Sequence, residues 1–250
     1  MDAKPVEVIA ARNNACPLII TCEHASSDIP SEYNNLGLSP DLLDTHIARD
    51  KGAREVTYAL SAKLGCRAVL GGYSRLLIDL NRRENEDELL VEKSDGILIN
   101  GNQNLSSAER SRRIDKYYRP YYSALEEQIA LVQNQALSPL LFSVHSFTPQ
   151  LRGGEPRLWQ AGILWHKPAR LAQFTADRLR ARGDKIIGTN VPYDLRLYNT
   201  GAVVVCGEEK GLDYGLIEIR DDEFTSMERG VRFWSDALAD ILQCYIHQGR

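Results

Sequence analysis

No uninterrupted apolar run in the 250 residues approaches the length of a membrane span. The opening M-D-A-K-P lacks the apolar core of a secretory leader, so none is expected. Cysteine is sparse: Cys16, Cys22, Cys66, Cys206 and Cys244 are odd in number and form no C-x-x-C pair. They read as reduced thiols and not as a disulfide framework, which makes the cytoplasm the expected address. Positive charge is not in excess either. The formal net charge is -4, and the arginines are scattered apart from Arg110, Arg112 and Arg113. That argues against a nucleic-acid partner, and the small arginine patch reads as the solvated face of a helix. With no internal repeat, low-complexity tract or linker, residues 1–250 are expected to form one domain.

What is present is an ordinary soluble composition, 43% hydrophobic and 26% charged. Short, nearly continuous aliphatic runs alternate with longer amphipathic stretches. This is the pattern of an α/β protein with a mixed, mainly parallel central sheet flanked by helices. Strands are predicted at Pro17–Cys22, Cys66–Leu70, Leu76–Leu80, Leu140–Val144, Ala161–Trp165, Ala202–Cys206 and Gly215–Ile219. Ser39-Pro40-Asp41 opens a helix to about Leu64, and the capping box Ser106-x-x-Glu109 opens one to about Gln135. Pro168 opens a third to about Arg182, and Asp221-Asp222-Glu223 acidify the start of a fourth that reaches about His247. Residues 81–104 and 183–198 read as loops.

Four of the predicted strands run out into chemically capable residues: C-E-H at Cys22–His24, D-L-N-R at Asp79–Arg82, S-V-H-S at Ser143–Ser146 and I-E-I-R at Ile217–Arg220. In open α/β sheets, ligands bind beyond the carboxyl ends of strands, where such endings converge. Each alone has a plain structural reading: a histidine at the core edge, an arginine paired with Glu84 or Glu86, or Glu218 paired with Arg220. Together they supply two imidazoles, carboxylates and an arginine. Two imidazoles and a carboxylate with one open position are the ligand set of hydrolytic zinc sites, and a further carboxylate can move a proton. An arginine can hold a substrate carboxylate in a bidentate fork.

The motifs C-E-H-A-S-S-D-I-P, H-I-A-R-D-K-G-A, Y-S-R-L-L-I-D-L-N-R, S-V-H-S-F-T-P and G-L-I-E-I-R-D-D follow one another in the order seen in the N-formylglutamate amidohydrolase family. The resemblance covers about Pro17 to Asp222, and the same motifs are similar to elements of the zinc carboxypeptidases. It implies a zinc-exopeptidase-like fold and metal-assisted amide hydrolysis with one zinc ion. Carried over by position, it implies His24 and His145 as metal ligands and Glu218 as general base. Asn81 and Arg82 match the pair that grips a substrate carboxylate, and Arg75 matches a group that polarises the scissile carbonyl. The peptidases place a glutamate three residues after the first histidine, where this chain has Ser27. The third ligand then falls to Glu23, Asp28 or Asp50. Asp50 is favoured because H-I-A-R-D occupies a helical motif of the family, with His46 and Asp50 four apart on one face.

The expected activity is removal of an N-formyl or small N-acyl group from an acidic amino acid such as N-formylglutamate. Two readings compete with it: a deacylase or peptidase for another small carboxylate, and a non-catalytic relative that binds a small anion or a partner protein. A serine or cysteine hydrolase is disfavoured, since there is no G-x-S-x-G and Cys22 beside His24 lacks further support. Trp159, Trp165 and Tyr198 are candidates for either pocket or core.

Overall fold

The computed structural model describes residues 4–167, 170–197 and 201–248. Its strands, in chain order, are β1 (Val6–Ile9), β2 (Leu18–Cys22), β3 (Arg67–Gly71), β4 (Lys93–Ser94), β5 (Ile97–Leu98), β6 (Leu140–Phe147), β7 (Ala161–Leu164), β8 (Ile187–Thr189) and β9 (Asp213–Arg220). Strands β4 and β5 form a small separate hairpin, and the others make one sheet in the order β1-β3-β2-β6-β9-β7-β8. The four inner strands β3, β2, β6 and β9 run parallel, while β1 joins β3 and β7 joins β9 antiparallel. Every residue of β2 and β3 is buried, as continuous aliphatic strands between two helical layers must be.

The helices are α1 (Pro40–Leu43), α2 (Ala53–Leu64), α3 (Ser107–Arg113), α4 (Arg119–Gln133), α5 (Arg170–Arg182), α6 (Ala202–Lys210) and α7 (Met227–Gln248). Helices α2, α5 and α7 pack together on one face of the sheet, with the Trp234 side chain of α7 wholly buried there. On the other face, α4 lies against β1 and β3, and α6 lies against β6 and β9. Helix α3 starts as expected, with Ser106 Oγ accepting from the Glu109 N–H at 3.1 Å. The helix expected to start at Pro168 begins at Arg170 among the described residues, and Pro168 itself lies outside them.

Three expectations fail for physical reasons. The predicted helix from Ser39 to Leu64 is broken between α1 and α2, where residues 44–52 form turns. Within the break, Thr45 Oγ1 donates to the Leu42 carbonyl at 2.7 Å, and Gly52 takes a left-handed φ of 79°. A side chain at Gly52 would also collide with the Phe224 ring, which a Cβ would approach to 2.4 Å. His46 and Asp50 therefore do not share a helix face, and His46 instead pairs with Asp95 at 3.3 Å.

The run A-V-V-V-C at Ala202–Cys206 is the start of α6 and not a strand, with Val203 and Val204 buried as the helix lies against the sheet. Leu76–Leu80 is also not a strand but a buried, turn-rich segment. Buried irregular backbone needs partners from elsewhere. Here Asn102 Nδ2 donates to the Leu76 and Val91 carbonyls at 2.9 and 2.8 Å, and the Tyr122 hydroxyl donates to the Leu80 carbonyl at 2.9 Å. Arg113 completes the set, donating to the Leu77 carbonyl, Asn102 Oδ1 and the Gly101 carbonyl at 3.1, 2.7 and 3.1 Å.

Arg113 is thus buried, contrary to its reading as part of a solvated face, while Arg112 beside it is 46% exposed. Replacing Arg113 by alanine strands several buried acceptors and should lower the unfolding free energy by about 3 kcal/mol. Arg112→Ala removes surface ion pairs and a contact over the Tyr33 ring and should cost about 1 kcal/mol. Urea denaturation of the two variants measures the contrast, and similar costs would refute the anchoring role of Arg113.

Candidate metal centre and active-site cavity

The site begins where β2 stops. Glu23 and His24 follow its last residue, at the carboxyl end of the parallel strands. One strand over, Ser143 and His145 lie two apart on β6 and so point to the same face. In the parallel ladder His145 is aligned with Glu218 on β9, which brings the carboxylate to the same face as the imidazole. Asp50 arrives from the turns before α2, and its N–H donates to the His24 carbonyl at 3.0 Å.

These side chains form a braced cluster. The Nδ1 atoms of His24 and His145 both face Asp50 Oδ2, at 3.3 and 2.7 Å, and the Ser146 N–H donates to the same oxygen at 3.2 Å. Each ring is held from behind by a further carboxylate. His24 Nε2 lies 2.7 Å from Asp79 Oδ1, and His145 Nε2 lies 2.7 Å from Glu23 Oε2. Glu23 also accepts from Ser143 Oγ at 2.6 Å and the Tyr121 hydroxyl at 2.7 Å. Arg75 closes the network, 2.9 Å from Asp79 and 3.7 Å from Asp50.

Charge is held against the cost of burial. Burial alone would raise the Glu23 carboxyl, but His145, Ser143 and Tyr121 outweigh it and bring it down to about 2. Burial likewise opposes ionisation of Asp50, yet the two histidines hold it well below the usual carboxylate range. Asp79 is also held low against burial, by Arg75 and then His24. For His145, burial favours the neutral ring, but Asp50 and Glu23 on its two nitrogens outweigh that and raise it well above the usual histidine value. Glu218 is the exception: its buried Oε2 accepts no hydrogen bond from the described residues.

Whether this cluster suits a metal can be judged from its donor atoms. One donor from each of His24, Asp50 and His145 lies within 4.8 Å of the others. A carboxylate lies 2.7 Å from each Nε2 while each Nδ1 faces Asp50, an arrangement like the bracing common around metal-bound histidines. Two imidazoles and a carboxylate are a donor set of hydrolytic zinc sites, so the residues fit such an ion. Of the other two candidates for third ligand, Glu23 is occupied behind His145, and Asp28 is not among the converging donors.

A cavity of about 320 Å³ opens onto the cluster, lined by His24, Arg75, Asn81, Arg82, Ser146, Tyr193 and Glu218, with Leu164, Leu195 and Leu216 as its apolar wall. Of the residues singled out from the sequence, His24, Arg75, Asn81, Arg82 and Glu218 line it, and Asp50 and His145 lie behind it against His24. Arg82 faces the cavity while its Nε lies 3.0 Å from Glu88 at the rim, with Glu86 at 4.0 Å. The Glu84 partner considered for it pairs with Arg119 instead. Asn81 has a structural task as well, its Oδ1 accepting from the Ala202 N–H at the start of α6. Trp159 and Trp165 are not among the cavity residues, and Tyr198 lies outside the described residues.

Sequence reasoning missed the braces. Asp79 stands inside the apolar L-L-I-D-L, and a carboxylate in such a run needs a buried partner, which was a usable signal. Nothing in the sequence around Tyr121 or Ser143 marks them as partners of Glu23.

The profile of the N-formylglutamate amidohydrolase family matches residues 16–225. An N-formylglutamate deformylase of Pseudomonas putida is 27% identical over 156 residues, 56% of this chain and 55% of the relative. Its counterpart in Pseudomonas aeruginosa is 25% identical over 172 residues, 63% of this chain and 60% of the relative. The chain thus spans little more than half the length of these curated relatives. Among solved structures, a gene product of Agrobacterium tumefaciens is 30% identical with a TM-score of 0.88, covering 98% of this chain and 96% of that one. An N-formylglutamate amidohydrolase of Ralstonia eutropha JMP134 has the same fold, with a TM-score of 0.75 at 20% identity over 98% of this chain and 99% of that one. With most of its length matched by the family profile, this chain belongs to the N-formylglutamate amidohydrolase family.

Proposed function

We propose that the protein is a zinc-dependent amidohydrolase that cleaves the formyl group from N-formylglutamate, or a small acyl group from a similar N-acyl amino acid. The observation that carries this reading is the convergence of the His24, Asp50 and His145 donors beside an unbonded Glu218 oxygen on one cavity wall. His24 and His145 would hold the ion through Nδ1 and Asp50 through its carboxylate. Bound there, zinc supplies Lewis-acid chemistry for amide hydrolysis.

The chain's own residues do the rest. Glu218 is pushed up to about 7 by burial, reinforced by the Asp50 carboxylate and opposed by His145, His24 and Arg75. A base poised near neutrality can take a proton from attacking water at its free oxygen and return it to the departing nitrogen. Water adds to the amide carbon, the C–N bond breaks, and formate and the free amino acid leave. Arg82 grips the substrate carboxylate, and Arg75 lies beside the scissile carbonyl.

Metal content and formate release from a panel of N-acyl amino acids test the reading together. His145→Ala should be nearly metal-free and inactive while still folded, and Asp50→Ala should lose most of its zinc, since a catalytic zinc is usually held by three protein ligands. Full zinc occupancy in His145→Ala would end the proposal.

Glu218→Gln should keep its zinc and lose roughly 10²- to 10⁴-fold in kcat. It should also change stability in metal-free protein. The folded chain keeps a proton on Glu218 from its ordinary value of 4.5 up to about 7, where the unfolded chain has released it. This contribution is whole below pH 4.5 and is lost as pH rises through about 7. Between pH 5 and pH 8 in chelator, wild type should therefore lose more unfolding free energy than Glu218→Gln. Equal losses would show that Glu218 releases its proton at an ordinary value.

Arg82→Lys removes the planar fork and should raise KM on N-formyl amino acids with little change in kcat. The penalty should disappear on substrates whose carboxylate is amidated. If wild type and variant discriminate equally between acid and amide, the anchor is another group.

A further inference from the structure

Tyr193 lines the cavity together with Glu218 and Arg75, yet its own residue is 42% exposed and lies outside any helix or strand. A ring so placed has little packing of its own to fix its direction. Arg157 supplies what packing lacks. Its guanidinium carbon sits 5.3 Å from the centre of the Tyr193 ring and 5.6 Å from that of Phe147, so both rings flank one cation. Phe147 is the buried last residue of β6, two beyond His145.

Arg157 is itself tied down at three points. Its Nη1 donates to the Thr148 carbonyl at 3.0 Å, and its main-chain N–H donates to the Pro149 carbonyl at 2.8 Å. Its own carbonyl accepts from Arg220 Nη1 at 2.8 Å, and Arg220 is the last residue of β9, two beyond Glu218. The guanidinium is thus referenced to the ends of the two strands that present His145 and Glu218. A merely solvated arginine would need no such anchoring. We propose that Arg157 is a positioning residue, which fixes the Tyr193 ring at the cavity wall in register with the catalytic strand ends.

The assignment rests on the amidohydrolase reading for its kinetic consequence but not for its geometry, so two measurements separate the two. The first is a double-mutant cycle in kcat/KM on N-formylglutamate. Arg157→Met keeps an unbranched apolar stem and removes the cation, and it should lower kcat/KM roughly two- to fivefold, chiefly through KM. In a Tyr193→Ala background the same change should have no further effect, and in the wild-type background Arg157→Lys should recover part of the loss. Penalties that multiply independently in the double variant would overturn the proposal.

The second measurement needs no turnover. With 3-fluorotyrosine incorporated and the Tyr193 signal assigned from its loss in Tyr193→Phe, the fluorine resonance should move toward that of free 3-fluorotyrosine in Arg157→Met, with the thermal midpoint unmoved. An unmoved resonance would refute the clamp, even if the enzyme proves inactive on every N-acyl amino acid.

Discussion

Four carboxylates, Glu23, Asp50, Asp79 and Glu218, share one buried region, and each must be matched by donors or cations or else give up its charge. Much of the local architecture answers that demand. Glu23 draws on Ser143, Tyr121 and His145, and Asp79 on His24, Arg75 and the Asn81 N–H at 2.9 Å. Asp50 takes both histidines and a main-chain N–H. Glu218 alone keeps an unmet oxygen, and it is also the carboxylate whose affinity for a proton rises instead of falling. Three carboxylates are thus held as anions while one keeps its proton more readily, the division that the proposed metal holding and proton transfer would use.

The braces also set direction. An imidazole with a carboxylate behind its Nε2 is held in one ring plane. Both rings are held in the same sense, so both Nδ1 atoms turn toward Asp50. The sheet supplies the remaining precision, because the parallel ladder between β6 and β9 sets His145 level with Glu218 without help from any loop. Loops deliver the other members, and each is pinned: Asp50 by its N–H on the His24 carbonyl, and the Leu76–Arg82 stretch by Arg113, Asn102 and two tyrosine hydroxyls.

The parallel core and its chemistry were legible because both leave local marks. Continuous aliphatic runs announced β2, β3, β6, β7 and β9, and the polar residues interrupting them announced the site. Apolar content signals burial and not geometry, however, which is why Leu76–Leu80 and Ala202–Cys206 were misread as strands. The first is buried without being extended, and the second is β-branched yet helical because packing on the sheet overrides local preference. Strands β1 and β8 are short and were passed over. Asp50 was reached through the wrong local structure, a continuous helix that the Thr45 hydroxyl and the left-handed Gly52 interrupt. The braces around Glu23 could be found only in three dimensions, since Tyr121 and Glu23 are 98 residues apart.

The separation of the donors along the chain bears on how the protein matures. His145 and Asp50 meet across 95 residues, and Glu218 joins only when β9 docks on β6. Zinc fingers gather their ligands within one short loop, so their metal can nucleate folding. Here no local segment holds a usable ligand set, and an emerging chain presents isolated histidines until nearly all of the sheet has formed. Closing such long loops is slow and must be driven by burial of the parallel strands themselves. The ion would therefore be a late arrival, captured by a scaffold already built, and the apoprotein is the species on which folding selection acts.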